Sequence, residues 1–297
     1  MIVGNSCYAR GYPAKAPVRH GEGSKPSEQK AAVGNKAAGI VADHTGIKIN
    51  QIPLIWIEKV KKDLHIAYGH TSHGSQITNG LLELTKFKKS PYIYKEGSPK
   101  DSLDLRNNPF GEDKDLGNPD NKTWAVETKK YLKKNKDINV VIWSWCGQLS
   151  NASKEFIQNY LDLMESLEAE FPNVTFVYMT GHLDGTGEDG TLAQNNKQIR
   201  EFCISSNKVL YDFSDIESYN PDGTYFGDKY ANDACEYDSN GDEIPDKNWA
   251  IEWQDSHIKG VDWYQCTAAH SQPVNANMKA DAMWRLLAGI AGWNGES

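Results

Sequence analysis

A chain of 297 residues is long enough to bury a sizeable core, in one large domain or two modest ones. Its 39% hydrophobic and 24% charged residues are those of an ordinary globular protein, and no run approaches the roughly 18 apolar residues of a membrane span. A formal charge of -8, with no clustered Lys/Arg stripe, argues against nucleic acid as a partner.

Residues 1 to 38 are rich in Gly, Pro, Ala, Lys and Ser with almost no apolar periodicity, the pattern of a linker or extended arm. Met1-Ile2-Val3-Gly4-Asn5 carries neither a basic n-region nor an apolar h-region, so no signal peptide is expected in this chain. Asp43-His44-Thr45 reads as a first edge strand, and Pro53 to Lys61 as a short helix with Pro at its start. Leu64, Ile66, Ala67 and Tyr68 form a run of the length and composition of a buried strand. Ile77, Leu81 and Leu84 follow at helical spacing. Between strand and helix lies a small polar turn, Gly69 to Ser75.

The passage from Lys88 to Asn121 is polar and irregular, with a short strand candidate at Tyr92-Ile93-Tyr94; long loops of this kind line substrate sites or stay disordered. Alternation then becomes regular. Trp124 to Leu132 predicts a helix, Ile138 to Trp143 a strand, Ser153 to Glu170 a helix and Val174 to Met179 a strand. Gln194 to Ser205 predicts a helix, Val209 to Phe213 a strand, and Ala276 to Ile290 a closing helix. Such alternation predicts an α/β fold, a three-layer α/β/α sandwich on a mainly parallel sheet. It is expected as a single domain over 39–297, with an irregular aromatic insertion at 214–265 before the last helix.

The turn after the first core strand carries the chemistry. A strand–turn–helix junction lies at the carboxyl end of a parallel sheet, where ligands bind, and free N–H groups of the helix favour an anion there. Ser72 in that turn is read as a hydrolase nucleophile. Its base is His270, in the Cys266 to Asn275 loop directly ahead of the last helix. Of the five cysteines, Cys235 and Cys266 flank the loop-rich insertion and are expected to form a disulfide. Cys146 and Cys203 are expected as buried thiols, and Cys7 as unpaired. The disulfide would imply an oxidising compartment, hence a secreted or otherwise extracytoplasmic protein.

A serine just past the first core strand with a late His before a terminal helix resembles the SGNH (GDSL-type) hydrolase superfamily, whose sheet is flavodoxin-like. His70-Thr71-Ser72-His73-Gly74 is similar to the H-x-S-x-G turn of bacterial SGNH-like proteins, as are Tyr211 to Glu217 and Ala269-His270-Ser271 with Trp284 and Ala291-Gly292-Trp293. The resemblance implies an ester hydrolase, with an O-acyl (acetyl) carbohydrate as substrate, Ser72 as nucleophile, His270 as general base and no cofactor for catalysis. Thr71 replaces the superfamily's Asp before the serine, and Thr267 its Asp three residues before the histidine. Asp262 is then the expected third member, with Glu252, Asp255 or a backbone carbonyl as alternatives. Gln148, with the N–H groups of Ser72 and Gly147, is expected to hold the oxyanion. His70, His73 and His182 are expected around the substrate.

Two other readings stand beside this one. His70, His73 and His182, with Asp184 or His270, offer a set of transition-metal ligands for a metal-dependent hydrolase. The fold could also serve a non-catalytic glycan-binding surface protein. Separately, Asp238, Asn240, Asp242 and Asp246 space oxygen side chains at offsets 0, 2, 4 and 8, and the Ile244 carbonyl at offset 6 completes an EF-hand-like series for structural calcium. Trp249 stands at the twelfth position in place of the bidentate Glu, so a full EF-hand is excluded. Nine Trp and fourteen Tyr suit stacking on sugar rings, and Trp249, Trp253, Trp263 and Tyr264 either line a sugar cleft or form the insertion's own core.

Overall fold

Successive residues of each central strand bury into two different cores. Ile66, Tyr68, Val140, Ile142, Val177, Met179, Val209 and Tyr211 share one hydrophobic cluster. The intervening Ala67, Val141, Trp143, Phe176, Tyr178 and Leu210 share the other. Period-two side chains buried on both faces require a layer of helices above and below the sheet. The computed structural model, described for residues 39–97, 99–111 and 115–296, has that three-layer α/β/α architecture. The arm expected at residues 1–38 lies outside the described residues.

A two-residue strand β1 (Val41–Ala42) is followed by short 3-10 turns and helix α1 (Leu54–Asp63). Strand β2 (His65–Gly69) leads into α2 (Ser72–Lys88), and β3 (Asp104–Asn107) follows the irregular passage. The regular part comprises α3 (Thr123–Lys134), β4 (Val140–Trp143), α4 (Lys154–Glu170), β5 (Thr175–Met179), α5 (Thr191–Ser205) and β6 (Val209–Tyr211). The insertion holds α6 (Phe213–Glu217), an antiparallel pair β7 (Glu236–Tyr237) and β8 (Lys247–Asn248), and α7 (Trp249–Ser256); α8 (Pro273–Ile290) closes the fold.

The large sheet runs β1-β6-β5-β4-β2-β3, all parallel. Apart from β1 this is the 2-1-3-4-5 order of doubly wound sheets, whose strand order reverses between β2 and β4. α1, α2 and α8 cover one face, and α3, α4 and α5 the other. α2 and α8 approach closely at Gly80, where a Cβ would stand 2.4 Å from the Ala276 carbonyl oxygen.

Three expectations are corrected. The edge strand lies at Val41–Ala42, and Asp43 instead caps a 3-10 turn by accepting from the Thr45 N–H. Tyr94 makes only an isolated bridge to Leu103, and the strand of that passage is β3. Cys235 and Cys266 are separate free thiols, not a disulfide. Each has its own buried setting: Cys235 Sγ lies 3.3 Å from Ser271 Oγ and 3.2 Å from Asn275 Nδ2, and Cys266 Sγ lies 3.4 Å from Asn277 Nδ2.

The aromatic residues of the insertion pack inward. Trp249, Trp253, Trp263 and Tyr264 are buried in the core shared with α8, so they form the insertion's interior and not an open sugar platform. In the 238–246 loop the oxygens turn to backbone. Asp238 accepts from the N–H groups of Asn240, Gly241 and Glu243, Asn240 from Asp242, and Asp242 from Ile244. Asp246 accepts from Ser239.

Candidate active site at the strand-order reversal

β2 ends at Gly69, and α2 starts at Ser72, so Ser72 occupies the first helical position over the carboxyl edge of the sheet. The first intrahelical bond runs from the Ser75 N–H to the Thr71 carbonyl. The N–H groups of Ser72, His73 and Gly74 therefore precede any helical acceptor and carry the positive end of the helix dipole. Gly74 is required here. A Cβ would fall 2.1 Å from Ser144 Oγ and 2.4 Å from His70 Cβ, and the Gly74 carbonyl accepts from Tyr68 Oη at 3.0 Å.

Ser72 Oγ lies 3.0 Å from His270 Nε2, within hydrogen-bond reach. His270 is exposed and sits in the left-handed region at φ 63°, a conformation that costs energy in a non-glycine residue and is held by its surroundings. Gln76 Nε2 donates to the Ala269 carbonyl at 2.6 Å, and the Ser271 N–H closes a turn onto Ala268. Gln76 Oε1 in turn accepts from Lys279 Nζ, which also pairs with Glu217 Oε1 at 2.6 Å in full burial. Glu217 Oε2 accepts from the Leu183 N–H at 2.7 Å. One buried network thus ties α2, α6, α8 and the loop after β5 to the turn that carries His270. Burial lowers the Lys279 ammonium from its usual value, partly offset by Glu217.

Asp262 does not serve His270. It lies on an exposed turn eight residues upstream, where its carboxylate accepts from the Ile258 N–H at 2.8 Å. Glu252 is bonded to Tyr237 Oη. Among the described residues no acceptor is bonded to His270 Nδ1, and the pair stands as a Ser–His dyad. A carboxylate is instead linked to His270 through His73: Asp233, a residue of the irregular insertion that no sequence pattern marks. Its carboxylate accepts from His73 Nε2 at 2.9 Å. Burial pushes the Asp233 carboxyl up, but the His73 hydrogen bond and the charges of His182, His73 and His270 bring it below the usual range. The His73 ring stacks on His182 at 4.0 Å and on His270 at 4.6 Å.

The remaining predicted residues divide. Gln148 is turned away from the oxyanion position: its amide donates to Asp115 Oδ1 and accepts from the Cys146 N–H, both at 3.0 Å. Gly147 is exposed beside Cys146, with nothing within 4 Å of where a Cβ would project. His70 is buried, with both ring nitrogens engaged, Nδ1 on the Thr71 carbonyl at 2.8 Å and Nε2 on Asn107 at 2.6 Å. Burial lowers its pKa, against the two hydrogen bonds that raise it, and with both nitrogens occupied it braces the turn and is not a free ligand. Asp184 bonds to Thr186. His73 and His182 are both buried beside the dyad.

Besides Asp233, two site neighbours are not marked by any sequence pattern. Cys146, expected as a buried thiol, is half-exposed after β4, with Sγ 3.4 Å from both Ser72 Oγ and His73 Nδ1. Asp115, from the polar passage before α3, is buried and accepts from Thr71 Oγ1 at 2.7 Å as well as from Gln148. Burial raises its carboxyl, against the two hydrogen bonds that lower it. No protein-family model matches this chain, and no curated protein matches it either.

Proposed function

We propose that the protein is a serine hydrolase of carboxylic esters. The observation that carries the reading is the 3.0 Å contact between Ser72 Oγ and His270 Nε2, at the sheet edge where doubly wound folds bind ligands. In this reading His270 Nε2 takes the Ser72 proton as the oxygen attacks the ester carbonyl, then returns it to the departing alcohol. The oxyanion is held by backbone N–H groups at the start of α2. With Gln148 committed to Asp115, this helix terminus carries the task that the amide was expected to share. Asp233, linked to His270 through the stacked His73 ring, favours the transient imidazolium electrostatically in place of a directly bonded acid.

The SGNH resemblance extends the proposal to the substrate, an O-acyl group on a carbohydrate, and the exposure of His270 is consistent with a bulky alcohol. Turnover of p-nitrophenyl acetate by wild type, Ser72→Ala and His270→Ala tests it. The base alone is worth about 10²–10⁴ in rate, so both variants fall to near background. Equal turnover by all three rejects the reading.

A further inference from the structure

His182 presents a ring nitrogen that has no hydrogen-bond partner among the described residues. Its Nδ1 lies 2.5 Å from the Leu183 carbonyl, a contact that only an Nδ1–H can make, so in the neutral ring Nε2 is bare. Nε2 is buried without a hydrogen-bond partner, in a residue 7% exposed. Its neighbours supply no donor. The Asp233 carboxylate only accepts, and the Nε2–H of His73 is spent on that carboxylate. One ring nitrogen each of His73 and His182 and a carboxylate oxygen of Asp233 lie within 4.8 Å of one another. An unsatisfied imidazole nitrogen thus lies beside a second imidazole and an anion.

We propose that His73 Nε2, His182 Nε2 and Asp233 bind a divalent cation of the zinc class, in a site directly beside the Ser72–His270 pair. Two imidazoles and one carboxylate select zinc, cobalt or nickel over magnesium and calcium, which take all-oxygen sets. Three protein ligands leave a fourth position to water. The outer contacts already have the right polarity. The Nδ1–H of His182 is held by a backbone carbonyl, the usual device for presenting Nε2 to a metal. Leu183 is itself fixed by Glu217. For His73 the proton balance closes within the ring: the proton shifts from Nε2 to Nδ1, which frees the Nε2 lone pair for the metal, and the Nδ1–H then donates to Cys146 Sγ, 3.4 Å away. A tetrahedral ion about 2.0–2.1 Å from each nitrogen spaces its ligand atoms roughly 3.3 Å apart. Closure therefore needs the two rings, stacked at 4.0 Å, to tilt out of parallel so that both nitrogens face the ion. The set differs from the one expected in sequence, since His70 and Asp184 are engaged elsewhere and Asp233 replaces them.

The test is titration of metal-stripped full-length protein with Co²⁺, read by visible d–d absorption, and with Zn²⁺, read by calorimetry. Wild type and Ser72→Ala should each take up one equivalent with tetrahedral cobalt bands, whereas His182→Ala and Asp233→Asn should lose the saturable equivalent. Far-UV circular dichroism identifies any variant that has failed to fold, and the folded one of the two decides. Absence of stoichiometric uptake by wild type, or uptake unchanged in the folded variants, overturns the site. Esterase activity does not enter the readout, so failure of the hydrolase reading leaves this result intact.

Discussion

Ser72 Oγ and His270 Nε2 meet at 3.0 Å although 198 positions separate them in the chain. Their meeting depends on the packing of α2 against α8 and on polar ties between those helices. Gln76 on α2 holds the Ala269 carbonyl, and Lys279 on α8 holds Gln76.

Removing Lys279 therefore acts on both stability and rate. Lys279→Met leaves the Glu217 carboxylate buried without its cation, a loss of about 3–5 kcal/mol for pairs of this kind. Adding Glu217→Gln removes the stranded charge and should recover most of that loss in urea denaturation. Turnover should not recover with it, because Gln76 still lacks the ammonium that anchors it.

Gly74→Ala tests the close approach at the start of α2. The added methyl meets Ser144 Oγ and His70 Cβ at distances no real Cβ tolerates, and overpacking typically costs 1–3 kcal/mol. The displaced helix terminus moves Ser72 and its N–H groups away from His270. A lowered unfolding midpoint with a fall in kcat larger than any change in KM is expected, read by thermal melts and steady-state kinetics.

Acidification should destabilise the fold through its buried imidazoles. Burial lowers the pKa of both His70 and His73 in the folded state. The unfolded chain then binds more protons than the folded one, and stability falls as pH drops through about 6.5 and on through the folded values. Between pH 7 and 5.5 the wild-type melting temperature should decline, and His70→Gln should decline less steeply. Asp115, whose carboxyl burial raises, acts in the opposite sense, so the comparison with His70→Gln is the informative one.

The thiols give an independent check on the insertion. Cys146, Cys203, Cys235 and Cys266 are all free. Denatured, unreduced Cys7→Ser protein should titrate four thiols with Ellman's reagent, and reductant should leave its melting temperature unchanged. Two titratable thiols would instead restore a disulfide.

The parts of the fold legible in sequence are those where local pattern and burial agree. Residues 140–143, 175–179 and 209–211 are near-continuous apolar runs because parallel strands are covered on both faces, and the helices between them keep a helical stripe. Ser72 and His270 were legible because each flanks a helix start at the same sheet edge. Asp233 was not, since it sits in irregular chain held by Asn232 side-chain bonds and by the Gly185 N–H on Ala231, contacts without a sequence period. Cys146 follows an apolar strand and reads as core until the strand is seen to end at Trp143. Asp262 looked suitable by nearness in sequence, but the turn at 258–263 carries it to the surface.

The most direct test of a nucleophilic Ser72 served by His270 is labelling with a fluorophosphonate probe, with the adduct located by peptide mass spectrometry. The account predicts stoichiometric phosphonylation of Ser72 in wild type and its loss in His270→Ala with the fold intact. An unmodified Ser72 in folded wild-type protein, or equal labelling when His270 is removed, would contradict it.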